Sequence, residues 1–179
     1  MGPLISLSRL IDAVNDRLGR LATWMVLAAC LISAGNAMTR YAFDLSSNAW
    51  LEVQWYLFAA IVMFGASYTL KMNEHVRVDI FYMQLSDRAR LWLDLAGTAV
   101  FLIPSMLVIA WYSWPFAMQS WATREVSQNA GGLIRYPVKF VLPLGFVLVA
   151  LQGVSEVIKR VAALRGDIRY TARYERPVQ

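Results

Sequence analysis

The sequence predicts an all-α membrane protein: four transmembrane helices with short interfacial amphipathic helices. Three observations carry that prediction. Of 179 residues, 58% are hydrophobic and only 16% charged, against about a quarter charged in soluble domains. The charges gather between four apolar blocks, each long enough for a helix to cross a bilayer core of about 30 Å. Lysine and arginine are then shared unequally among the connecting segments. At this length one membrane domain is expected.

The chain divides as follows. Residues 1–20 form an N-terminal interfacial helix. Leu7, Ile11, Val14, Leu18 and Leu21 recur on one helical face, with Arg9, Asp12, Asp16 and Arg20 away from it. That pattern suits a membrane surface. Residues 21–160 hold the four spans, at about 21–40, 52–72, 94–118 and 138–158. Asn36 is expected to bond to a neighbouring helix or to water, and Cys30 to pack as a small apolar residue. A lone cysteine excludes an internal disulfide. The residues before the first span are too long and too acidic for a signal peptide.

The second span has a polar group at each end. Ser46, Ser47 and Asn48 offer helix caps before Trp50 and Glu52. The helix dipole favours a carboxylate in a first turn. An ion pair of Glu52 with Arg40 is the sharper reading. At the other end, Lys71 to Asp79 forms a polar knot around His75, the only histidine. His75 and Arg77 are placed to bond helix-end carbonyls or lipid phosphate, and Asp79 to cap a short helix. Interfacial helices are expected at about 79–93, with Ser86 as a second cap.

The third block is uncharged from Leu95 to Thr123. Pro104 and Pro115 are expected to kink it. Trp111, Trp114 and Trp121 form an aromatic belt at headgroup level. A polar loop from Arg124 to Lys139 follows, with turns at Asn129, Gly131 and Gly132. Pro137 opens the fourth span and Pro143 bends it. Residues 161–179 are a basic cytoplasmic tail.

Arg9, Arg17, Arg20, Lys71, Arg77, Arg88, Arg90 and the six basic residues after Ser155 fall on one side, thirteen in all. Four fall on the other: Arg40, Arg124, Arg135 and Lys139. The positive-inside rule places both termini in the cytoplasm and Glu52 on the outer side.

No chemistry is written into this pattern. One histidine is too few for a bis-histidine haem. No phosphate-binding glycine loop, nucleophile–base pair or metal-ligand cluster is seen. No basic run with aromatics points to nucleic acid. The sequence therefore predicts no enzyme activity, cofactor or metal. The spans carry no ionisable residue away from their ends, where a pump or ion-coupled carrier commonly holds one. That favours a scaffold or partner subunit. Two other readings stand beside it: an independent small transporter using Glu52 as a proton or cation site, and the membrane anchor of an enzyme complex.

Arg40-Tyr41, Trp50, Glu52, Tyr56-Leu57, Gly65-Ala66 and above all the run His75-Val76-Arg77-Val78-Asp79 resemble the small membrane subunit, DctQ-like, of tripartite ATP-independent periplasmic (TRAP) transporters. Many members carry two adjacent acidic residues where Val53 follows Glu52 here. The stretches Asn129 to Leu133 and Pro143 to Phe146 look like a branch associated with keto acid, mannitol or chloroaromatic labels. The resemblance implies a bacterial inner-membrane heterodimer. Its large permease subunit would hold the substrate and sodium sites, and a periplasmic substrate-binding protein would deliver an organic acid. Arg40, Trp50, Glu52, His75, Arg77 and Asp79 become candidates for structural or partner-interface roles, with membrane lipid as a further contact.

Overall fold

The computed structural model describes residues 2–45, 47–74, 82 and 84–168. His75, Arg77 and Asp79 lie outside the described residues, as do residues 169–179 of the tail. Among the described residues, four helices are long and apolar enough to cross a membrane: α1 (Gly2–Phe43), α2 (Asn48–Met72), α3 (Asp87–Ala122) and α4 (Tyr136–Leu164). No strand occurs among the described residues.

α1 is one helix of 42 residues, about 63 Å at 1.5 Å per residue. No break separates its first twenty residues from the span. Its faces are also used in an unexpected way. Leu7, Val14 and Leu21 on the apolar stripe are exposed, whereas Ser8, Asn15, Gly19 and Ala22 are buried. Ser8, Asp12 and Asn15 turn inward onto α4, while Arg9 and Arg20 stay exposed. Cys30, expected to pack, is exposed on the outer face.

α3 is likewise continuous. Ser86 caps it, its hydroxyl accepting from the Ala89 N–H at 3.4 Å. The helix then runs past Asp94 without stopping. From Gly97 to Leu102 it widens to a π-helical turn, in which Ile103 N–H bonds to Thr98 O. Pro104 follows at once and has no N–H to give its own preceding turn, so the register slips there rather than breaking.

Three helix ends close by the same reverse bonding. Asn73 ends α2 at φ 59°, with its N–H on Leu70 O and that of Glu74 on Thr69 O. Gly166 ends α4 at φ 82°, where glycine is unstrained. Arg124 ends α3 at φ 49°, and Glu125 N–H returns to Ser120 O at 2.9 Å. This last turn aims the following loop back across the bundle.

α4 is the central helix. It packs on α1, α2 and α3, while α3 leans principally on α4. Half of the most apolar stretch of α4 is buried, against 6–11% for the other three. The contacts use small residues, as expected where lipid removes the hydrophobic drive between helices. Ala22, Ala60, Ala110, Ala117, Ala150 and Ala162 are buried. Large side chains such as Trp24, Leu31, Phe101 and Trp111 point outward.

Glycines mark the closest approaches. A methyl on Gly19 would lie 2.6 Å from the Tyr68 ring, and one on Gly145 2.5 Å from the Met63 side chain. We expect Gly19→Ala to push α1 off α2 and to destabilise by about 1–3 kcal/mol, as over-packing does. Thermal unfolding in detergent measures this. An unchanged midpoint would refute the contact.

Candidate functional site

Two polar clusters sit at opposite ends of the bundle. The first is built on Glu52. α2 begins at Asn48, so Glu52 stands in its second turn rather than its first. The side chain is buried and reaches across to the loop between α3 and α4. One carboxylate oxygen accepts from the Ser127 hydroxyl and from Asn129 Nδ2 at 2.8 Å. The other accepts from Leu133 N–H at 2.7 Å. The expected Arg40 pair is therefore not what holds Glu52. Arg40 is exposed, with its guanidinium 5.3 Å from the Tyr41 ring centre. Trp50 is also exposed.

The loop is folded to meet this carboxylate. Ser127 N–H bonds to Leu133 O and Arg135 N–H to Glu125 O, both at 2.9 Å. Gly131 takes φ 70°, and a Cβ on Gly132 would lie 2.4 Å from that of Ser127. Asn48 adds a second tie from α2, donating to Ala130 O at 3.2 Å. Ser47, by contrast, makes no side-chain capping bond. Beneath the loop Lys139 pairs with Glu125 and lies 4.2 Å from the centre of the Phe116 ring. Trp114 and Trp121 of the aromatic belt both meet Phe140 edge-on. An open cleft of about 370 Å³ lies alongside, lined by Glu52, Trp55, Tyr56, Arg135, Val138 and Lys139.

The Lys139 ammonium holds the Glu125 carboxyl below its ordinary range, with Arg135 adding to the effect. A depressed carboxylate contributes stability above its unfolded pKa and loses it as pH falls through the folded one. Amide exchange at Arg135 is thus expected to stay constant from pH 7 to about 5 and to quicken only below about 4. After correction for intrinsic exchange, quickening already above pH 5 would contradict this pairing.

The second cluster joins α1, α3 and α4 at the other end. Gln152, fully buried, accepts from Asn15 Nδ2 at 2.6 Å and donates to Asp12 at 2.9 Å and Glu156 at 3.1 Å. Ser155 donates to Asp12 at 2.8 Å and lies 2.7 Å from the Ser8 hydroxyl. Lys159 bridges Asp12 at 3.2 Å and Glu156. Arg160 donates to Glu156 at 3.0 Å and reaches Asp94 of α3 at 3.8 Å. Tyr82 donates its hydroxyl to Asp94 at 2.9 Å. Lys71 ties α2 to Asp16 of α1.

None of this second cluster is among the candidate site residues drawn from the sequence. The signal was present as polar periodicity. Ser8, Asp12, Asn15 and Gly19 share one face of α1, and Gln152, Ser155, Glu156 and Lys159 share one face of α4. A fourth span ending at about 158 leaves Lys159 and Arg160 just beyond it. The helix instead continues to Leu164 and buries Glu156 and Arg160 to within 2% of full side-chain cover.

Chemically, both clusters are ties between helices. Each carboxylate already has fixed donors. No group of three or more His, Cys, Asp or Glu side chains arranged for a metal occurs among the described residues.

No curated protein matches this chain in sequence. The model of the DctQ component of tripartite ATP-independent periplasmic transporters matches residues 29–163, from the first span through nearly all of α4. With three-quarters of its length so matched, the chain belongs to the DctQ family and is a membrane component of a TRAP transporter.

Proposed function

We propose that this chain is the non-catalytic small subunit of a TRAP-type secondary transporter, a static scaffold for the large permease subunit. In this reading the permease imports an organic acid on a sodium gradient, and a periplasmic binding protein delivers it. The complex lies in a bacterial inner membrane, with both termini of this chain cytoplasmic, as the basic-residue bias supports.

The observation that carries the reading is the locked state of Glu52. A coupling site must take up and release its ion, so its carboxylate must exchange partners. Glu52 instead has both oxygens committed to one loop, by three donors. Family membership points the same way. The broad apolar faces of α1 and α3 then have a natural use against a larger membrane protein.

Reconstitution tests this. Proteoliposomes holding this chain alone, the permease alone, or both are given the binding protein, a sodium gradient and radiolabelled organic acids. Uptake is expected only when the chain and the permease are present together. Uptake by this chain alone would overturn the scaffold reading. So would full uptake by the permease without it.

A further inference from the structure

The cleft beside the Glu52 clamp has donors that the clamp does not use. The Tyr56 hydroxyl is buried and has no hydrogen-bond partner within the protein. A buried polar group left in that state is costly, and such groups commonly mark a missing ligand. Arg135 is the second donor. Its side chain is 40% exposed, and its contacts are long: 3.9 Å to Glu125 and 3.4 Å to the Ser127 hydroxyl. Most of the five N–H groups of its guanidinium are still to be satisfied.

The acceptors at this mouth are already taken. Glu52 holds the loop, and Glu125 holds Lys139. What remains is donor capacity, which calls for an anion. α4 also starts here, at Tyr136, and a helix start adds positive potential. The rest of the lining is apolar: Val138 and the indole of Trp55, which is 61% exposed. Tryptophan and tyrosine beside arginine and lysine at the end of a span define the headgroup level of a bilayer. A ligand matching all of this is an anion joined to an apolar chain.

We propose that this cleft seats one phospholipid. Its phosphate accepts from the Tyr56 hydroxyl and the Arg135 guanidinium, and its upper acyl chain lies along Trp55 and Val138. The inference needs only a membrane at this level of the bundle. It does not need the scaffolding role, so the two fail separately.

The test uses the full chain purified in mild detergent and analysed by native mass spectrometry. The wild-type protein is expected to retain one phospholipid adduct. Tyr56→Phe and Arg135→Gln should each lower its occupancy by roughly fivefold or more, the loss expected for a hydrogen bond to a charged group. Tyr56→Phe removes only an unpartnered oxygen, so the lipid-free protein should melt no lower than wild type. Trp24→Ala, on the exposed face of α1, should leave the adduct unchanged. Short-chain phosphatidylglycerol should restore the adduct to delipidated protein, and sodium phosphate at equal concentration should not compete. Undiminished adduct in Tyr56→Phe and Arg135→Gln overturns the proposal. Displacement by phosphate alone also overturns it, by marking a free-anion site.

Discussion

Replacing Glu52 by alanine releases the loop between α3 and α4 from α2. The carboxylate holds three donors at once, from Ser127, Asn129 and Leu133, and the further hydrogen bond from α2 to this loop among the described residues is that of Asn48 to Ala130. Charge-assisted bonds are the strong class, and the donors left behind are partly buried. The loop carries its own turns and its Glu125–Lys139 pair, so it should loosen as a unit rather than unravel. Trypsin cleavage after Arg124 and Arg135 is expected to speed up by roughly tenfold or more. Glu52→Gln keeps an acceptor for one donor and loses the charge, so it should fall between alanine and wild type. Equal cleavage rates in all three proteins would rule out the clamp. In the assembled transporter the alanine variant should also lose uptake, because the loop and α2 would no longer present one surface. Normal uptake with a loosened loop would confine the clamp to local stability.

The sequence made the four helices legible, because apolar length and the segregation of charge are one-dimensional signals. It also pointed to Glu52. What it left out was the partner. Ser127, Asn129 and Leu133 lie more than seventy residues away, and an acceptor on one helix names no particular donor on a distant loop. The second cluster was hidden for a different reason. Reading α1 as amphipathic places its polar face toward water, the rule for a soluble surface. Here the inward face carries Ser8, Asp12 and Asn15, and the leucines of the opposite stripe face outward. In lipid, polar side chains gain by meeting one another between helices, so the usual assignment of faces inverts. The same inversion explains why Arg160, just past the expected end of the fourth span, is almost fully covered.

That inversion makes Glu156 the position where a single change in the helix interior should cost most. Its carboxylate receives Gln152, Lys159 and Arg160, and both it and Arg160 are all but sealed from solvent. Glu156→Met leaves two cations and a buried amide facing an apolar side chain. Removing one partner of a buried pair commonly costs about 3–5 kcal/mol, and a comparable loss is expected in the unfolding free energy of this protein. Arg160→Met alone leaves Glu156 with Lys159 and Gln152 and should cost less. The double variant separates attraction from desolvation. If the residues stabilise α4 mainly by satisfying each other, Arg160→Met costs far less in the Glu156→Met background than in the wild type. The coupling should then reach about 1–3 kcal/mol. Additive effects would mean that each side chain acts through other neighbours, Glu156 through Lys159 and Gln152, and Arg160 through Asp94. In that case the cluster would be two separate ties, one joining α4 to α1 and one joining α4 to α3.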